Sequence, residues 1–173
     1  CGDFNTNQLL QQAKDKNEIV SATSNQLIKL LRKDIVFYLA DGEVLDTPHI
    51  FSVTEENLES CISENEKAVA GWVLKNNKRA GATTGTLSNA KCLYLAVRSS
   101  SMVYGVIGIV MGEIPLDPFE NSILLSILGE CALALENEKN AREKQEAAIL
   151  AKNEQLRANL LRAISHDLRT PLT

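Results

Sequence analysis

The residues best suited to chemistry stand near the end of the chain, in the run Ser165-His166-Asp167-Leu168-Arg169-Thr170-Pro171-Leu172. Leu156, Leu160, Ile164 and Leu168 recur at four-residue spacing, the narrow apolar seam of a helix that faces a partner helix. A residue two positions past Ile164 is rotated about 200° round such a helix, so His166 is expected to point away from the seam into solvent. An imidazole with a reference pKa of about 6.5 is largely neutral near pH 7, and a neutral ring nitrogen can attack the γ-phosphorus of a nucleotide. Asp167 adjoins His166, and Thr170 follows one helical turn later. Pro171 removes a helix donor and can bend the chain beside the histidine.

Other groups with chemical potential are scattered. The four cysteines, Cys1, Cys61, Cys92 and Cys131, show no C-x-x-C spacing and read as reduced, mostly buried thiols of a cytoplasmic protein. The five glutamates between Glu55 and Glu66 lack the alternating Asp/Asn/Gly pattern of a calcium loop and read as a solvated helix edge. His49 could ligate haem in principle, but its Pro-containing strand-edge setting favours a surface or hydrogen-bonded role. No metal site is expected. The loop from Gly81 to Thr86 offers hydroxyls and backbone amides without a phosphate-loop pattern, so a plain mobile loop and a ligand lid are equally compatible with it. Trp72 reads first as a core anchor.

These groups must be positioned by a chain of 173 residues, 45% apolar and 23% charged, ordinary values for a folded domain. A formal net charge of −4 without a basic patch gives no electrostatic footprint for nucleic acid or an anionic membrane surface. The longest apolar run, Val103 to Gly112, is far short of the ~20 residues that cross a bilayer. With no initiator Met and an end just past the histidine, the chain reads as a piece excised from a longer one.

Apolar spacing from Asn5 to about Lys33 predicts one helix or two collinear ones, with Thr23-Ser24-Asn25-Gln26 as a capping box partway. Residues 34–40 form a β-type run meeting the turn pair Asp41-Gly42, with a weaker strand region to Val53. Ser63 and Glu66 form a second capping box, opening a short helix anchored by Trp72. Arg79 to Asn89 reads as a loop. Two strands follow, Cys92 to Arg98 and Val103 to Met111, the second apolar on both faces and therefore central. Asp117, Pro118 and Glu120 start a helix with no breaker but Gly129 until Pro171. At 1.5 Å per residue it would run about 80 Å, so part of it must project. Ile123, Leu124, Ile127, Leu128, Cys131 and Leu135 suit it to docking on the sheet; Glu136 to Gln155 is mostly polar, and the narrow seam follows.

The octapeptide closely resembles the H-box of two-component sensor histidine kinases. That resemblance implies His166 as phosphoacceptor, Asp167 as general base and Thr170 in the dephosphorylation step. The upstream element order resembles a GAF domain, an α+β sensory module with a central antiparallel sheet. More narrowly, Ala68-Val-Ala-Gly-Trp-Val73, Arg79-Ala-Gly-Ala-Thr-Thr-Gly-Thr-Leu87 and Tyr104-Gly-Val106 look like the GAF region of Kdp-type (KdpD) potassium-responsive sensor kinases.

The resemblance implies a GAF domain over 1–135, a linking signalling helix over 136–158 and a truncated dimerisation and phosphoacceptor segment over 159–173. It also implies a homodimer, the cytoplasmic portion of a membrane sensor, acting with an ATP-binding kinase domain and a cognate response regulator to control potassium-transport genes. No cofactor is expected in this segment; ATP and Mg belong to the intact kinase. A GAF pocket near Trp72, Thr83 and Thr84 would take an unidentified small molecule. The sets expected for cyclic nucleotides and bilins are missing. The alternatives are a ligand-binding or dimerising GAF module without phosphotransfer, and a thiol-dependent GAF enzyme acting on small oxidised molecules.

Overall fold

The computed structural model describes residues 15–54, 58–100 and 102–169. Helix α1 spans Lys16–Leu31 and is capped by Asp15, whose carboxylate accepts the Glu18 N–H at 2.8 Å. The capping box expected at Thr23 to Gln26 starts nothing. Thr23 and Ser24 are fully buried in mid-helix, where Ile19, Val20 and Leu27 keep one face continuous against the core and override the local signal. The part of the expected helix before Asp15 lies outside the described residues.

Strand β1 (Ile35–Asp41) turns back through Gly42, at φ +67°, into β2 (Val44–Leu45). That left-handed position suits glycine. The weaker strand region resolves into β3 (His49–Phe51), which pairs Phe51 with Ile35 and His49 with Phe37. A 3₁₀ turn, Glu59–Ile62, leads into helix α2 (Glu64–Asn76). The stretch expected as loop from Arg79 first forms a two-residue strand, β4 (Ala80–Gly81), because main-chain pairing with Leu93 and Tyr94 needs no strand-forming side chains. Strands β5 (Cys92–Arg98) and β6 (Val103–Val110) complete an antiparallel sheet of order β2-β1-β6-β5-β4, with β3 beside β1. β6 is central, as its two-faced apolar pattern requires.

Alternation along the strands divides the core in two. Ile35, Phe37, Leu93, Leu95, Ile107 and Ile109 face α1 and the first turns of helix α3 (Pro118–Arg169). Val36, Tyr38, Cys92, Tyr94 and Val106 face α2 through Val69, Ala70 and Val73. Each fully buried large aliphatic side chain contributes roughly 1.5–3 kcal/mol. Trp72 is only half-buried and packs at the margin of this layer. Two buried tyrosine rings, Tyr38 and Tyr94, fill the sheet surface below α2. Room for one of them comes from Gly108, where a Cβ would stand 2.6 Å from the Tyr94 ring.

Ser63 Oγ accepts the Glu66 N–H at 3.4 Å, but the Glu66 carboxylate does not turn back to complete the box. It crosses to β5 and is 2% exposed, accepting from Lys91 N–H at 3.0 Å, Cys92 N–H at 3.2 Å and the Tyr94 hydroxyl at 2.9 Å. Glu66 is therefore not part of a solvated edge. Glu59 and Glu64 are exposed, and Glu55 and Glu56 lie outside the described residues.

The box at α3 closes fully: Glu120 N–H donates to Asp117 Oδ1 at 2.7 Å and Asp117 N–H to Glu120 Oε1 at 3.1 Å. The helix runs for 52 residues. By length and composition alone it could cross a bilayer, yet Leu124, Ile127, Leu128, Cys131 and Leu135 are buried in the sheet core. The chain divides into two compact units, Cys1–Glu136 and Asn137–Thr173.

Replacing Glu66 by Ala strands two peptide donors and a tyrosine hydroxyl in an apolar layer, and should lower unfolding free energy by about 3 kcal/mol or more. Glu66→Gln, which keeps one oxygen acceptor, should recover part of this. Urea unfolding reads both as midpoint shifts at constant slope; a shift in the Ala variant as small as that of a surface substitution would remove Glu66 from this role.

Candidate functional site

In the second unit every residue from Glu143 to Arg169 is exposed. Leu156, Leu160, Leu161, Ile164 and Leu168 are 46–66% exposed in the single chain, an apolar row of the kind that helices bury against one another. His166 lies opposite that row, with its side chain 81% exposed, and its Nδ1 is 3.8 Å from Asp167 Oδ1. Asp167 stands at the flank of the row, three residues past Ile164. Thr170 and Pro171 lie outside the described residues. Ion pairs Arg142–Glu138 at 3.6 Å and Lys139–Glu143 at 3.9 Å run along the polar stretch at i,i+4 spacing, each joining a partly buried side chain to a more exposed one.

In the first unit, Thr83 and Thr84 line a cleft of about 400 Å³ together with Arg79, Gly85, Thr86, Leu93, Pro115, Leu116 and Asn121. Its wall is pinned. Gly81 N–H donates to Thr86 O at 2.8 Å, and the Thr84 hydroxyl bridges Gly81 O and Thr86 O at 2.8 Å each. Arg79 Nη1 donates to Asn121 Oδ1 at 3.2 Å, joining the loop to the first turn of α3. Thr83 and Thr84 thus share this cleft, while Trp72 lines neither it nor the one formed by Gly42, Glu43, Gly71, Leu74, Lys75, Met102 and Val103. Arg79 opens one of the segments that resemble Kdp-type kinases, but Asn121 is 42 residues away and no local spacing pairs the two.

The buried polar groups lie under α2. Tyr38 is 2% exposed, and its hydroxyl meets no hydrogen-bond partner among the described residues. Burial, then the neighbouring Cys92, Glu66 and Cys61, push that hydroxyl up to about 12. Burial also pushes the Cys92 thiol up, with Cys61 adding to the effect, and holds Cys131 at about 12. Cys61, Cys92 and Cys131 are free, buried thiols; Cys1 lies outside the described residues. Thiols with raised values, as at Cys92 and Cys131, are poor nucleophiles near neutral pH. No group of His, Cys, Asp and Glu suited to a metal is present among the described residues. His49 is half-exposed in β3.

No family model matches the chain. The chain is 34% identical over 165 residues to the sensor protein KdpD of Clostridium acetobutylicum, covering 94% of this chain and 18% of that protein. It is 33% identical over 110 residues to sensor protein KdpD of Escherichia coli K12, covering 62% of this chain and 12% of that protein. The chain thus spans less than a fifth of the length of the curated relatives it matches. Among solved structures, the native GAF domain of the potassium sensor histidine kinase KdpD from Escherichia coli superposes with a TM-score of 0.66 at 18% identity, covering 83% of this chain and 97% of that one. The GAF domain of an Acinetobacter phosphoenolpyruvate-protein phosphotransferase gives a TM-score of 0.58 at 11% identity, covering 80% and 93%. The antiparallel sheet, its helices and these likenesses agree: the fold is a GAF domain of the α+β class, and the chain belongs to the KdpD-type sensor-protein family as its GAF-containing segment.

Proposed function

We propose that this chain is the sensory GAF domain, signalling helix and phosphoacceptor segment of a two-component sensor histidine kinase that regulates potassium-transport genes. The observation that carries the reading is the H-box sequence from Ser165 on an exposed helical face, with His166 81% exposed, in a chain 34% identical to a sensor protein KdpD. In the intact protein the GAF unit is the cytoplasmic portion of a membrane-bound homodimer. ATP and Mg are held by its kinase domain, and phosphate passes on to a response regulator.

With Nδ1 turned toward the Asp167 carboxylate, a proton is favoured on Nδ1 and the lone pair is left on Nε2. Nε2 forms the bond to the γ-phosphorus as the bond to the ADP oxygen breaks and the leaving oxygen takes its electron pair. The ring gains positive charge, and Asp167 stabilises it and takes the Nδ1 proton, a general-base role worth roughly 10²–10⁴ in rate. Thr170 serves a separate step, positioning the water that hydrolyses the phosphorylated response regulator and releases inorganic phosphate. Leu160, Ile164 and Leu168 bury against a second copy, and a change in packing or rotation along α3 alters access of the kinase domain to His166.

Supplied with labelled ATP and the separate kinase domain of its parent, the chain should become labelled on His166, and His166→Gln should not. Asp167→Asn should slow labelling by about 10²-fold or more. Equal labelling of the Gln variant would sink the assignment, whereas the chain with ATP alone should remain unlabelled. Sedimentation should show a dimer that Ile164→Glu weakens; a wild-type monomer at high concentration would instead place dimerisation elsewhere. Cysteines engineered between Glu138 and Leu160 should cross-link in different patterns in the two signalling states, and identical patterns would rule out transmission through this helix.

A further inference from the structure

The cleft between the Gly81–Thr86 loop and the first turn of α3 has the composition of an anion site. Among the described residues that line it, Arg79 is the only charged side chain and none is a carboxylate. The nearest carboxylates in sequence, Asp117 and Glu120, each accept the other's N–H in the α3 cap. The Arg79 guanidinium is held at one nitrogen by Asn121, so it is aimed before any ligand arrives, with donors remaining on the fork. The peptide N–H groups of Thr83 and Gly85 donate to no acceptor among the described residues, although the neighbouring Gly81, Ala82, Thr84 and Thr86 N–H groups all do. Thr83 holds a left-handed φ of +64°, uncommon for a β-branched residue and more often found where a site imposes it. Leu93, Pro115 and Leu116 add an apolar side.

We propose that this cleft binds a small organic oxyanion, a carboxylate or phosphate ester with a short apolar body. Arg79 forms charge-assisted hydrogen bonds to it, the Thr83 and Gly85 amides cradle its oxygens, and the apolar side packs its carbon skeleton. Because the ligand would join the β4–β5 loop to α3 through the Arg79–Asn121 contact, it would act on the helix that carries His166. This deepens the reading of the GAF unit as sensory. The phosphotransfer assay above needs no ligand, so failure of one leaves the other standing.

The test is an amide-resolved NMR titration of the whole chain with inorganic phosphate and, separately, with butyrate. Saturable shifts centred on Thr83 and Gly85 are expected, with Arg79→Gln weakening the response by about tenfold or more, as loss of a charge-assisted pair implies. Arg79→Lys should fall between, since it keeps the charge and loses the fork. Tighter saturation by phosphate assigns a phosphate ester, and by butyrate a carboxylate. Non-saturating shifts with both probes, shifts centred elsewhere, or an unchanged response in folded Arg79→Gln overturns the proposal.

Discussion

The α2 side of the sheet is organised by one buried carboxylate. Glu66 stands in the first turn of its helix, where the N-terminal dipole favours negative charge. Its oxygens satisfy the peptide donors of Lys91 and Cys92 and the hydroxyl of Tyr94. A charge taken out of water is tolerable only when its hydrogen-bonding capacity is met in this way. The interaction fixes α2 to β5 and, in the same stroke, sets where the chain re-enters the sheet after the Gly81–Thr86 loop. The cleft wall therefore inherits its geometry from an interaction on the opposite face of the sheet. Gly108 is part of this arrangement, since only its missing side chain lets the Tyr94 ring lie across β6 with its hydroxyl at Glu66.

Solvent exposure sorts the reactive groups. The three described cysteines are buried, and burial pushes the thiols of Cys92 and Cys131 up, while His166 and Asp167 stand almost fully in water. The proposed phosphoryl transfer to His166 would need access by a separate catalytic domain, which an exposed side chain provides. Helix α3 changes composition along its length. Leu124 to Leu135 is spent on the sheet, and the leucines after Gln155 are left uncovered in the single chain.

Much of this was legible in local sequence. The Asp117/Glu120 box, the two-faced apolar run of β6 and the hairpin at Asp41-Gly42 are short-range signals, and each appears where its residue pattern requires. Capping motifs were less dependable where long-range packing competed. Thr23 to Gln26 had the letters of a box but lies inside α1, and Glu66 kept its backbone half of a box while its side chain was drawn to β5.

The sequence by itself determined the order and type of the longer helices and strands, the docked stripe of α3 and the position of His166 relative to the seam, but not the short strand β4. These follow from periods of two and 3.6 residues acting over a few turns. Tertiary structure alone decided that Glu66 is buried rather than solvated, and that Arg79 meets Asn121 across 42 residues. Such contacts depend on strand register and on which side chains arrive together after the chain has closed its long loops, and no local periodicity encodes that.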